Sequence, residues 1–435
     1  MTNASVKLWG TQVGAVSWDE ARRYGVFQYA PEIVGSGIEI APLMMPTRAL
    51  PYSFPALSRE TFKGLPGLLA DSLPDKYGNQ LIDTWLARQG RSPASFNPVE
   101  RLCYIGTRGI GALEFEPAAT GAIRGSSSVD IAELVTLANR ILDERNQFSG
   151  KLSGKAEDMH ALEHILRVGT SAGGARAKAV LSWNESTGEF RSGQVGADPG
   201  FAHWLLKFDG VSKNADKELA DPQGFGRIEF AYHKMAVAAG IEMTRCRLHV
   251  ENGRAHFMTR RFDRPDGGDK LHMQSLTAMM HYDFNVAGAY SYEQAVQVLK
   301  QLDAGRHDVE QQVMRALFNV VGRNQDDHPK NIAYLMDRAG KWRLSPAFDI
   351  AYAYNPSGSW TDRHQMSLNG KRDAFSREDL VAFGKAADLK LVRVNELLDA
   401  VIEAVAKWPD FAAEAGVSDT HINSVAAGLR HKALQ

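Results

Sequence analysis

The stretch NQDDHPKN, residues 324–331, decides how the rest of the chain is read. It gathers two carboxylates, an imidazole, an ammonium and amides into one short polar turn. Phosphoryl transfer asks little covalent chemistry of a protein. It needs a carboxylate to orient the acceptor hydroxyl, oxygen donors for Mg2+ and positive charge for the phosphates. Protein kinases set the orienting Asp and a metal-binding Asn in the pattern D-x-x-x-x-N. Asp326 and Asn331 have that spacing, whereas Asp327 is one residue too close to Asn331. The spacing therefore selects Asp326 as the catalytic carboxylate and Asn331 as a metal ligand. Lys330 becomes a phosphate contact. His328 becomes a group that positions the loop, or Asp326 itself, by hydrogen bonding.

Working outward, IAYLMDRAGKWRLSPAFDI (332–350) reads as strand, turn, strand and then SPAFDI, with Gly340 helping the turn. Such a hairpin carries Asp349 back beside Asn331 as a second metal ligand. Alone, the loop would pass equally well for a polar surface turn; with the hairpin and Asp349 it reads as an active site. Upstream, Lys207 lies in the strand pattern HWLLKFD, placed to reach the α- and β-phosphates. Glu229, in RIEFAY at the start of a helical pattern, is placed to pair with it, as in the kinase lysine–glutamate pair. Each of these alone would read as a solvated surface residue. GTSAGGARAK (169–178) is a glycine-rich loop leading into a strand, and glycines let backbone N–H groups approach a phosphate. It is not a Walker A loop, because Ala175 stands where the lysine should be. RRFDR (260–264) could offer backbone groups around Arg260 and Phe262 to an adenine, as a hinge does.

With 435 residues the chain exceeds what one hydrophobic core usually serves, so two or three packed units are expected. Apolar residues make up 44% and charged residues 23%, which suits a soluble globular protein. A formal net charge of -1 argues against a broad basic face for nucleic acid. Cys103 and Cys246 are too few and too far apart for a disulfide framework or a zinc site, which fits a reducing compartment. The start of the chain lacks an apolar signal-peptide core, and no run suits a membrane helix. A cytoplasmic protein with no membrane partner is expected.

The coarse pattern is α+β. VKLWG, TQVGAVSW and GVFQYA alternate as short strands, and GSGIEIAPLMMP continues in that style. A helix follows through Leu81, Ile82, Trp85 and Leu86, then a strand in GTRGIGALEFEPA. SSVDIAELVTLANRILDER starts a helix at Ser128 or Asp130. AKAVLSW, GEFRSGQ and FAHWLLKFDG read as strands, and RCRLHVENGRAHFMTRRFDR as a hairpin turning at Asn252-Gly253. Beyond residue 264 helical patterns dominate. Residues 1–120 thus form a small mixed N-terminal subdomain and 121–264 a sheet-bearing, nucleotide-binding part of the N-lobe. Residues 265–435 form a helical C-lobe with the catalytic loop, and a cleft between the lobes is the natural ligand site.

These pieces, in this order, resemble the HipA-type serine/threonine kinase toxins of bacterial toxin–antitoxin systems. The resemblance spans nearly the whole chain. GRNQDDHPKN and LSPAFDI carry it most specifically; YGVFQYA and LLADSLPDKYGN match the family's N-terminal subdomain more softly. It implies a two-lobed kinase-like fold using ATP and Mg2+. Catalysis would fall to Asp326 and metal binding to Asn331 and Asp349. ATP would meet Lys207 and the loop from Ser171 through Gly173, Gly174 and Ala175 to Lys178. Ser171 matches the family's autophosphorylated serine, whose modification ejects the loop and silences the enzyme. A phosphate there adds nearly two negative charges in the nucleotide's own pocket. The implied partners are a small helix-turn-helix antitoxin and a protein substrate such as an aminoacyl-tRNA synthetase, with DNA reached mainly through the antitoxin.

The chain departs from the family pattern at two places. Asp327 stands where members often carry a small residue, an extra carboxylate expected to bear on metal binding or substrate approach. GGARAK lacks the Gln-Glu that precedes the lysine elsewhere. Other readings are a small-molecule kinase of the aminoglycoside or choline type, a non-catalytic kinase-fold regulator, and a metal-dependent nuclease. The N-terminal 120 residues and the glycine-rich loop weigh against the first. The full set of catalytic residue types weighs against the second, and the absence of basic bias against the third.

Overall fold

The computed structural model describes residues 2–88, 90–117, 130–144, 176–193, 199–211, 224–266 and 269–434. It is an α+β chain, with three sheets among the described residues. Strands β1 (Thr2–Leu8), β2 (Thr11–Asp19), β3 (Tyr24–Tyr29) and β4 (Leu113–Glu116) form an antiparallel sheet in the order β3-β2-β1-β4. Alternation decides its faces, and Ala4, Val6 and Leu8 of β1 all point into the core.

The expectation that GSGIEIAPLMMP continues the strands is not met. The chain there runs as turns and bends, with Gly35 and Gly37 at positive φ, where no strand can continue. Its apolar residues Ile40, Ala41 and Met45 are buried nonetheless. Side chains from far along the chain take the place of a ladder: Ile40 O meets His272 Nε2 and Gln274 Nε2, and Glu39 O accepts from Trp342 Nε1. Periodicity had marked burial correctly and misread the backbone that delivers it.

The second sheet holds β5 (Lys178–Trp183), β6 (Phe190–Ser192), β7 (Ala202–Lys207), β8 (Cys246–Glu251) and β9 (Arg254–Arg260), in the order β6-β5-β7-β9-β8. Asn252 and Gly253 both take left-handed φ, 45° and 77°, as a two-residue hairpin turn requires. The helix Phe225–Ala238 packs on β9 so closely that a Cβ at Gly226 would meet Ala255 O at 2.3 Å. β5 is buried along its whole length. The helices Lys76–Arg88 and Ile131–Glu144 share a core with this sheet, through Leu81, Ile82, Leu134, Val135, Leu181 and Leu206. Asp130 caps the second of these, its Oδ1 accepting the Glu133 N–H at 2.9 Å.

Beyond residue 264 helices do dominate, but a strand that the helical pattern does not announce, β10 (His272–Ser275), lies among them. This strand adds to β11 (Ala333–Met336) and β12 (Trp342–Leu344) to make a third sheet. Its residues His272, Gln274 and Ser275 are buried polar groups, so no apolar pattern announced it. The helices Tyr292–Gln301, Arg306–Val321, Arg377–Ala386 and Leu391–Ala406 build the C-lobe, and a continuous core joins it to the first sheet. No described helix is long and apolar enough to cross a membrane. Cys103 and Cys246 are free and buried.

Candidate active site

Lys207 ends β7 with its ammonium buried between two carboxylates. Glu229 Oε1, from the first turns of the helix Phe225–Ala238, and Asp349 Oδ1 each lie 2.5 Å from its Nζ. Glu229 is held from its other oxygen by Arg176 Nη1 at 3.1 Å, whose guanidinium lies over the Phe225 ring. Desolvation alone would lower the Lys207 ammonium, but Asp349 and Glu229 more than offset it and raise it above its ordinary value. Desolvation likewise pushes the Asp349 carboxyl up, and Lys207 outweighs that and holds it well below the usual carboxylate range. Asp349 stays about a third open to solvent, with a side-chain exposure of 37%. It sits at φ 57°, a left-handed conformation uncommon for a residue with a Cβ. The segment is tied down by Ala347 N donating to Glu242 O at 2.8 Å, and by Phe348 packed on Phe262.

The loop expected to be catalytic follows the helix Arg306–Val321 and closes in a 3-10 turn at Pro329–Asn331. Asn331 Nδ2 donates to Asp326 O at 3.0 Å, so the two residues selected by spacing are joined directly. Asp326 presents a partly exposed carboxylate whose Oδ1 accepts from Trp360 Nε1 at 2.6 Å. His328 stands off Asp326 at 3.8 Å, packs on Phe284, and keeps a buried Nδ1 without a hydrogen bond. The Lys330 ammonium lies 5.4 Å from the Phe284 ring.

Asp327 does not enter the cleft. It is buried, accepting from Tyr292 Oη, His364 Nδ1 and the Gln365 N–H, each at 2.7 Å. Burial would raise its carboxyl, and these donors hold it below its ordinary value. The expected influence on metal or substrate is therefore replaced by a role behind the loop. Lys178, expected at the nucleotide, is 1% exposed and pairs with buried Asp75 at 3.0 Å. Arg260 pairs with Asp266 at the surface. Ser171, Gly173, Gly174 and Ala175 lie outside the described residues.

Sequence reasoning missed Trp360, Tyr292, His364 and Asp75, since nothing in their local spacing ties them to the loop or the sheet. The oxygen donors present fit Mg2+. Asp349 offers a carboxylate and Asn331 an amide oxygen, both hard donors. Among the described residues no three His, Cys, Asp or Glu cluster as a closed cage. A site of one carboxylate completed by phosphate oxygens and water is the arrangement Mg2+ favours.

The HipA-like C-terminal domain matches residues 170–409, and the HipA N-terminal domain matches residues 4–116. The chain belongs to the HipA family. A chain of the HipA, HipB and operator DNA complex of the Shewanella oneidensis MR-1 toxin–antitoxin system shares its fold. The TM-score is 0.66 at 16% identity, covering 98% of this chain and 94% of that one. The protein named "Putative kinase Y4mE" of Sinorhizobium fredii is 25% identical over 218 residues, 46% of this chain. That match spans about half of the relative's length, 51%. Within the HipA-like C-terminal domain fall Lys207, Glu229, Asp326, Asn331 and Asp349 together.

Proposed function

We propose that the chain is an ATP- and Mg2+-dependent serine/threonine protein kinase acting as the toxin of a toxin–antitoxin pair. The observation that carries this is the convergence of Lys207, Glu229 and Asp349 on one ion-paired cluster. A buried lysine held between two acids is pre-aimed at phosphate, and a partly exposed Asp beside an amide is the acceptor side of the same chemistry. Bound Mg2+ would supply neutralisation of the charge that develops on the transferring phosphoryl group.

The remaining steps belong to the chain's own residues. Asp326 accepts the hydrogen of the incoming serine or threonine hydroxyl, while the Trp360 indole N–H fixes the carboxylate's rotation. Lys330 and His328 line the path of the acceptor. Lys207 steadies the α- and β-phosphates and is itself steadied by Glu229. Ser171 is the self-phosphorylation site, whose modification turns the enzyme off. The HipB component of the Shewanella complex supports a helix-turn-helix antitoxin as partner, with DNA reached through it. The target is a protein, with an aminoacyl-tRNA synthetase as the substrate to try first.

Intact-mass spectrometry after incubation with Mg-ATP tests the reading. The wild type gains one phosphate, mapped to Ser171. Asp326→Asn slows transfer on the order of 10²- to 10⁴-fold, the usual worth of a positioned base. Asp349→Ala gains none at ordinary Mg2+. Transfer at the wild-type rate in either variant sinks the assignment.

A further inference from the structure

Behind the catalytic loop, a buried polar chain runs from Asp327 to the segment at residues 430–434. Asp327 Oδ2 accepts from His364 Nδ1, and His364 Nε2 lies 3.0 Å from Arg430 Nη1. Arginine can only donate, so His364 must accept at Nε2 and carry its proton on Nδ1. The imidazole thus bridges a carboxylate and a guanidinium. Arg430 also pairs with Asp373 and donates to Val320 O at 3.3 Å, while its own N–H donates to Val321 O at 3.0 Å. Exposures of 3%, 0% and 8% for Asp327, His364 and Arg430 keep water from substituting for any link. Leu434, 1% exposed, anchors the segment in the core.

A buried carboxylate stripped of a donor carries a large penalty, so Asp327 is bound to its three partners. Asp327 shares a peptide unit with Asp326. Whatever holds the one aims the other. We propose that His364 and Arg430 are positioning residues for Asp326, and that docking of segment 430–434 sets the catalytic loop and through it the rate of phosphoryl transfer. This rests on the kinase reading, and the test below separates the two.

His364→Phe keeps the ring and removes both links. His364→Asn keeps a donor near the Nδ1 position, and His364→Gln keeps only the Arg430 side. Arg430→Met removes the guanidinium. Hydrogen exchange of the peptide spanning residues 324–331 is measured in each, with β5 and β7 as internal reference. The loop should exchange at least tenfold faster in His364→Phe and Arg430→Met, with the reference strands unchanged. In transfer assays kcat should fall at least tenfold while KM for ATP stays within twofold, and His364→Asn, which keeps the Asp327 link and loses the Arg430 link, should fall with Arg430→Met. Unchanged loop exchange, or kcat and KM moving together with exchange rising everywhere, overturns the proposal. Should His364→Phe or Arg430→Met not fold, His364→Gln carries the same expectation. A wild type that transfers no phosphate ends the kinase reading, and loop exchange still decides the coupling.

Discussion

At the residue scale, Lys178 shows how one side chain changes meaning with its surroundings. Read in sequence it belongs to a phosphate loop; in the fold it also meets Asp75, far earlier in the chain, in a buried pair. Asp75 serves two elements at once, because its Oδ1 also accepts the Gly78 N–H at 2.6 Å and so caps the helix Lys76–Arg88. The pair thereby ties that helix to β5. Removing one partner of a buried pair typically costs about 3–5 kcal/mol, whereas replacing both with apolar groups costs far less. Asp75→Leu should therefore destabilise the protein by about 3 kcal/mol or more, and Asp75→Leu with Lys178→Met by clearly less. Urea denaturation of the two singles and the double checks this. Additive losses would show that the pair is not coupled.

At the element scale, caps and turns followed local chemistry. The helix Arg377–Ala386 opens with a reciprocal cap in which Ser376 Oγ accepts the Asp379 N–H and Asp379 Oδ2 accepts the Ser376 N–H. Lys371 Nζ and Asn369 Nδ2 also reach Asp379, at 2.6 and 2.9 Å. Desolvation would raise this carboxyl, but the Lys371 and backbone hydrogen bonds bring it down to about 2 from an ordinary 3.8. A depressed acid contributes stability above its unfolded value and loses it as pH falls through the folded one. Asp379→Ala should cost about 1–2 kcal/mol near neutrality. It should also flatten the fall of stability between roughly pH 4 and pH 2, which denaturation curves across that range would show. The one-turn helix Gly67–Ala70 makes the opposite point. A Cβ at Gly67 would meet Ala278 O at 2.4 Å, a close approach that no local pattern revealed.

At the scale of the whole molecule, the N-terminal sheet and the C-lobe share a continuous core, and two histidines stitch the seam. His281 Nε2 accepts the Gly67 N–H at 3.0 Å, and His272 Nε2 meets Ile40 O at 3.1 Å. Burial lowers both imidazoles from 6.5 to about 4, and it lowers His203 and His233 likewise. Each is neutral in the folded chain, while the unfolded chain binds a proton between those values. Stability is therefore full above about pH 6.5 and is lost as pH falls toward 4, by up to about 1.4 kcal/mol per pH unit for each group. A thermal melt series from pH 7 to pH 4 should show a steep drop in Tm. His281→Gln, whose amide oxygen can still accept the Gly67 N–H without taking a proton, should make the drop shallower. An unchanged slope would place the titration elsewhere.

Much of the candidate site's geometry was legible because it is local. The spacing from Asp326 to Asn331 brings the amide to the loop carbonyl, Asn252-Gly253 closes its hairpin, and Asp130 caps its helix; each depends on a few adjacent residues. Even the partnership of Lys207 with Glu229 could be read, since one ends a strand and the other begins the next helix. What only the tertiary structure decided are contacts between residues with no shared period. Lys207 meets Asp349 from 142 residues away, and Trp360 reaches Asp326 from 34. Asp327 looked like a second reactive carboxylate, because sequence gives residue type and spacing but not which way a side chain faces. Burial among Tyr292, His364 and Gln365 turned it into a structural anchor, and burial is a property of the packed chain rather than of any segment.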